Sequence, residues 1–205
     1  MGKKYSEKDG HRHLTAKNKK IIEQSVRNIL AALGDDPDRP GLVETPKRVA
    51  GFYDEVFEGM RYSNQEIADK FNKCFDEPEA HDLVLMKDIT AFSFCEHHMA
   101  LMYNIKIHVA YIPDGKVIGL SKIARIVDMV TKRLQLQERI IEDIVDVLER
   151  ILGTHDIMVV MEGEHSCMTA RGIKKPGTVT SSAVVKGIFK ESAAARSEVY
   201  DLIGR

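Results

Sequence analysis

The chain predicts an α+β fold built on a mainly antiparallel sheet. Three observations point there: apolar residues at helical spacing in the first third, alternating β-branched runs after them, and a second helical tract that separates early strands from late ones. At 205 residues, 43% hydrophobic and 30% charged, the chain can bury a sizeable core.

Residues Met1 to about His13 read as a polar, mobile tail. From Thr15 to Leu33, Ile21, Ile22, Val26, Ile29, Leu30 and Leu33 form one helical stripe, and Gly34 stops it. Asp35 to Gly41 is a turn-rich connection. A second helix opens near Thr45-Pro46, with threonine as its cap and proline in its first turn. Ser63 to Phe71 predicts a third, short helix. The expected organisation is a tail over 1–13, a helical segment over 14–80 and a domain of strands and helices over 81–205.

Strands follow. Leu83 to Phe94 is the first, and Ile105 to Ile112 alternates cleanly before the turn Pro113-Asp114-Gly115. Val117 and Ile118 resume briefly. Ser121 is placed to cap a long helical tract. Its first apolar stripe is Ile123, Ile126, Val127 and Val130; its second runs from Ile140 to Ile151. The phase slips at Leu134-Gln135-Leu136-Gln137, which predicts a break, and Gly153 ends the tract. Ile157 to Met161 and Thr178 to Phe189 are the last strands, and a short helix follows from Ala193.

A net charge of −1 argues against a dedicated nucleic-acid binder. No apolar run reaches the roughly 18 residues of a spanning helix, so no membrane partner is expected. Three cysteines, an odd number, make no disulfide framework and suit a reducing, cytoplasmic compartment. Two of them belong to short motifs, which leaves Cys74 as an incidental thiol.

Those motifs carry the chemistry. Cys95-Glu96-His97-His98 and His165-Ser166-Cys167 offer two thiols and three imidazoles. Cys95 and His98 can reach one ion from a turn, and on a strand His165 and Cys167 would share a face. A catalytic zinc site takes three such ligands and keeps a fourth position for water, whereas a structural site closes all four with protein. Five candidates exceed three positions, so the surplus histidines suggest proton transfer beside a metal. Lys122 and Arg125 share a face in the first turn of a helix, where free N–H groups add positive potential. With Arg171 and Lys174-Lys175 they could cradle phosphates; a solvated helix face is the bland alternative. Glu138, beside Gln137 in the expected break, could pair with the ring N–H and amino group of a purine.

Taken in order, the motifs resemble the GTP cyclohydrolase I family. The matching blocks are Thr45-Pro46-Lys47-Arg48-Val49-Ala50, Cys95-Glu96-His97-His98, Val109-Ala110-Tyr111-Ile112-Pro113, Gly119 to Val127, Gln135-Leu136-Gln137-Glu138-Arg139, and His165-Ser166-Cys167-Met168 with Arg171-Gly172. The resemblance runs from about Thr15 to Ile203. It implies conversion of GTP and water to formate and 7,8-dihydroneopterin triphosphate. It also implies one zinc ion per subunit on Cys95, His98 and Cys167, with hydrolytic attack at C8 of guanine. His97 and His165 match the proton-transfer histidines. Glu138, with Gln137 beside it, matches the guanine anchor, and Ser121, Lys122, Arg125 and Arg171 match ribose and triphosphate contacts. The implied fold is the tunnelling fold, a four-stranded antiparallel sheet with two helices on one face, preceded by an N-terminal helical segment. The implied assembly is a homodecamer of two facing pentamers with active sites at subunit interfaces. After His98 the chain reads Met99-Ala100-Leu101-Met102-Tyr103-Asn104, without the proline and glycine common there in the family.

Overall fold

The computed structural model describes residues 5–8 and 10–204. The fold is α+β, as expected, and divides into two compact units between Arg61 and Tyr62.

In the first unit, β1 (Tyr5–Lys8) and β2 (His11–Leu14) form an antiparallel hairpin. The expected mobile tail is therefore a paired element where it is described; residues 1–4 and 9 lie outside the described residues. The sequence shows no apolar alternation there because polar bonds hold the hairpin. Arg12 donates to the Arg61 carbonyl at 2.6 Å, and His11 Nδ1 meets Glu58 Oε1 at 2.6 Å. Asp54 is the hub: its carboxylate accepts from the Leu14 amide at 2.7 Å and from Arg61 at 2.7 Å, and pairs with Lys19 at 2.6 Å. Burial alone would raise the Asp54 pKa, but Lys19, the Leu14 amide, His13 and Arg61 together hold it below the ordinary carboxylate range.

Helix α1 (Ala16–Ala32) starts where expected, with Thr15 Oγ1 accepting from the Asn18 amide, and Gly34 at φ 88° follows its end. Helix α2 spans Thr45–Val56; its cap is Glu44, without a side-chain bond, and Thr45 is already helical. A 3₁₀ turn, Glu58–Arg61, closes the unit.

The second unit opens with α3 (Asn64–Phe71), held at its start by a reciprocal Ser63–Glu66 capping box. Strand β3 (Cys74–Asp76) is later paired by β6 (Lys116–Ile118). Between them lie β4 (Val84–Cys95) and β5 (Ala100–Tyr111). Helix α4 (Leu120–Thr131) is followed by the two-residue strand β7 (Leu134–Gln135) and by α5 (Gln137–Leu152), so the expected break is real. The cap of α4 is Gly119, and Ser121 sits within the first turn instead of capping it. Gly153 ends α5 in the left-handed region at φ 74°. Then come β8 (Ile157–His165), α6 (Ser166–Thr169), β9 (Val179–Val185), α7 (Ile188–Glu191) and α8 (Ala193–Ile203).

The main sheet has the order β7-β4-β5-β8-β9. Its four long strands are antiparallel, and β7 lies parallel to the end of β4, with Cys95 opposite Gln135. Strand alternation gives the sheet two apolar faces. Ile105, Ile107, Val109 and Tyr111 of β5 pack in one core with Ile123 and Ile126 of α4 and Ile140, Ile144 and Leu148 of α5. Ala110, Met158 and Val160 face the other way, under Phe189 and Val199 of the C-terminal helices. A fully buried isoleucine in such a core contributes roughly 1.5–3 kcal/mol.

Strand β9 ends at Val185, short of the Phe189 that the sequence suggests. Gly187 turns the chain at φ 53°, where an added Cβ would lie 2.0 Å from Asp156 Oδ1. Phe189 is apolar because it plugs the second core from α7, a position that periodicity cannot tell from a strand continuation.

Candidate active site

One end of the sheet gathers the chemistry-bearing residues. Cys95 is the last residue of β4, and His165 the last of β8. His165 lies opposite Met102 of β5, Cys95 opposite Gln135 of β7, and Thr180 of β9 opposite Gly163. His97 and His98 stand in the turn between β4 and β5. That turn ends on Met99 at φ 51°, so a non-glycine residue takes the left-handed position. The strand expected over Ile157–Met161 runs on to His165 and stops there, short of Cys167. Cys167 sits one residue into α6, and the chain's change of direction, not strand alternation, brings its sulfur inward.

The Cys95 sulfur, the Cys167 sulfur and a ring nitrogen of His98 lie within 4.8 Å of one another, a group that could hold a metal ion. Cys95 is buried, Cys167 half-buried and His98 exposed. Burial raises the Cys167 thiol pKa, and the neighbouring Cys95 raises it further. Thiolate is the metal-binding form of cysteine, so a cation between these sulfurs would suit them. Arg171 Nη1 contacts His98 Nε2 at 2.7 Å, with the guanidinium donating.

Beside the cluster is a cavity of about 200 Å³, with Cys95, His97, Glu138, His165 and Cys167 in its wall and Met102 and Met168 as its apolar lining. His97 Nδ1 is 3.5 Å from Cys95 Sγ, and its ring stands edge-on to His98 at 6.3 Å. His165 Nε2 lies 2.8 Å from Gln137 Oε1. Burial lowers the His165 pKa, while the charge of Glu138 works against that shift. Glu138 is exposed in the first turn of α5.

The structure thus brings together Cys95, His97, His98, Gln137, Glu138, His165 and Cys167, with Arg171 touching His98. It does not bring Ser121, Lys122 or Arg125 to this cavity; Ser121 and Arg125 are exposed on α4 and Lys122 is half-buried there. Gln137 is buried at 3% exposure, a depth the sequence did not indicate. Gln135 and Thr180 also line the cavity and were not foreseen. The alternation of Gln135 and Gln137 across the phase slip is the one signal that could have pointed to Gln135; it is buried and donates to the Val130 carbonyl at 3.0 Å.

The family model for GTP cyclohydrolase I matches residues 22–204. GTP cyclohydrolase 1 of Clostridium acetobutylicum is 59% identical over 175 residues, covering 83% of this chain and 90% of that protein. GTP cyclohydrolase 1 of Clostridium botulinum strain Kyoto is 59% identical over 175 residues, covering 83% and 89%. GTP cyclohydrolase 1 of Ruminiclostridium cellulolyticum is 54% identical over 178 residues, covering 84% and 91%.

Proposed function

The chain belongs to the GTP cyclohydrolase I family, and on that premise we propose how its side chains turn GTP and water into formate and 7,8-dihydroneopterin triphosphate, the first step of folate and pterin biosynthesis. The observation that carries the proposal is the convergence of Cys95, His98 and Cys167 in and beside a cavity that also holds His97, His165 and Glu138.

Two sulfurs and one imidazole nitrogen fit a zinc ion, one per subunit, which Cys95, His98 and Cys167 would hold. When bound, zinc would supply a hydroxide nucleophile near neutral pH for attack at guanine C8. The residues around it bind and move protons. Glu138 accepts from the guanine ring N–H and amino group, which orients C8 toward the cluster. His97 donates a proton to the ring nitrogen as the C8–N bond opens. His165 assists formyl release and the later ribose rearrangement. The triphosphate is remote from C8, so its binding energy holds the base in register.

Ser121, Lys122, Arg125 and Arg171 are the proposed ribose and triphosphate contacts. Three of them stand apart from the cavity of their own chain, which supports a homodecamer whose sites form at subunit interfaces. Exposed apolar residues favour such an assembly, notably Leu33 at 77% and Phe92 at 66% exposure. The sheet with α4 and α5 on one face is read as the tunnelling fold, within a catalytic domain over 81–205 that follows a helical segment over 14–80. No helix among the described residues is long and apolar enough to cross a membrane, and a cytoplasmic enzyme is proposed.

The test is direct. Zinc-loaded protein incubated with GTP should release formate and, after oxidation, a fluorescent pterin in equal amounts. Zinc-replete protein that yields neither would overturn the proposal.

A further inference from the structure

Gln137 was expected at the substrate, beside the guanine anchor. Its surroundings give it a different task. Its Nε2 donates to the Thr180 carbonyl at 3.0 Å and to Ser182 Oγ at 3.0 Å. Its Oε1 faces His165 Nε2 at 2.8 Å. Both amide hydrogens and the oxygen are thus engaged within the protein, at 3% exposure. A purine acceptor would find neither amide hydrogen free.

The bonds also fix a proton. A backbone carbonyl only accepts, so the atom facing Thr180 must be the amide nitrogen, which settles which way the side chain points. The oxygen that then faces His165 is also only an acceptor. His165 Nε2 must therefore carry the hydrogen. No hydrogen bond to the other ring nitrogen, Nδ1, is made by the described residues. The neighbouring strand leaves room for this arrangement: Gly163 lies opposite Thr180, and a Cβ there would come within 3.7 Å of Gln137 Oε1 and 3.2 Å of Ile105.

We infer that Gln137 is a positioning residue that holds His165 in the tautomer protonated on Nε2, so that Nδ1 is the nitrogen offered to the reaction. The inference rests on the reading of His165 as a proton-transfer residue. It assigns the ring one direction of work. With Nε2–H tied to Gln137 Oε1, the ring's orientation is set and any proton exchanged with substrate passes through Nδ1.

The experiment uses zinc-loaded, full-length protein and the variant Gln137→Met, which keeps the side-chain length and removes both donors and the acceptor. Its kcat should fall about 10²-fold, the lower range for losing a positioned acid–base group, with KM for GTP within about threefold. In a His165→Ala background the same substitution should cost less than about twofold more, because its effect passes through His165. A tenfold or greater rise in KM with kcat preserved would overturn the inference by placing Gln137 on the substrate. An undiminished cost in the His165→Ala background would overturn it as well. A spectroscopic measurement needs no turnover and no foldable variant at position 137. In ¹⁵N-histidine-labelled wild-type protein, with His165 assigned by its absence from His165→Ala, Nε2 should give the protonated signal and Nδ1 the lone-pair signal. A proton on Nδ1 would overturn the assignment. Normal turnover by His165→Ala would instead overturn the catalytic reading beneath it, and the tautomer result would distinguish the two failures.

Discussion

Arg133 lies between α4 and β7, and its guanidinium ties that junction to α3 and α5. Nη1 donates to Asn64 Oδ1 at 2.9 Å and to Asp143 Oδ2 at 2.8 Å, and Nη2 donates to the Tyr62 carbonyl at 3.1 Å. The arginine side chain is 12% exposed and that of Asp143 20%, so water replaces these bonds poorly. Arg133→Met keeps much of the alkyl packing and removes the charge. Hydrogen bonds to a charged group contribute about 1.5–3 kcal/mol each, but Asp143 retains Asn64 Nδ2 at 2.9 Å and gains some water. The expected loss is therefore about 2–4 kcal/mol, near the lower range for breaking a buried ion pair. Urea denaturation at fixed protomer concentration measures it, with an unchanged m-value as the sign that only stability has moved. A double-mutant cycle with Asp143→Asn should show coupling of about 1–2 kcal/mol. A loss below about 0.5 kcal/mol at unchanged m would refute the reasoning, because the junction would then be held by packing alone.

Other substitutions address the site. Cys167→Ala should lose zinc and GTP turnover together, and stoichiometric zinc in the variant would remove Cys167 from the ligand set. His97→Ala should retain zinc and lose turnover by about 10²–10⁴-fold, as expected for a proton donor; near-normal formate release would contradict that role. Glu138→Gln should weaken the preference for GTP over ATP, and an unchanged preference would exclude Glu138 as the guanine anchor. His108 tests the sheet. It is buried at 3% exposure and its Nδ1 accepts from the Asp88 amide at 3.2 Å, at a bulge where Asp88 takes φ 58°. Burial lowers its pKa, Asp88 and Glu162 pull it up, and Lys106 and Lys87 push it down, with a net depression. The unfolded chain therefore binds this proton at higher pH than the native one. Stability is full above the unfolded histidine value of about 6.5 and is lost as pH falls below it. His108→Gln should flatten that acid limb in urea midpoints taken between pH 7 and 5, and parallel curves for both proteins would sink the attribution.

Much of this was readable because the relevant signals are local. The stripes on α4 and α5 and the phase slip between them lie within a few residues of one another, and they located the turn that presents Glu138. The starts expected at Thr15 and Ser63 fall on residues whose side chains cap helices through bonds made three residues apart. The ligand set Cys95, His98 and Cys167 came from residue type and family resemblance, and the geometry brings those three atoms together. What stayed hidden depends on distant partners. The β1–β2 hairpin is held by Asp54, Glu58 and Arg61, some 40–49 residues away. Phe189 reads as strand because a core plug and a strand residue are equally apolar. The bonds of Gln137 to Thr180, Ser182 and His165 stayed hidden because nothing in its sequence neighbourhood announces those partners. Ser121, Lys122 and Arg125 resemble a phosphate cradle in sequence, yet they lie apart from the cavity of one chain.

The proposed chemistry requires a metal held by Cys95, His98 and Cys167 with one position left to water. Zinc-edge X-ray absorption on the purified protein reads that coordination directly. Two sulfurs, one imidazole nitrogen and one water oxygen per chain are predicted; a fourth ligand from the protein itself would contradict it.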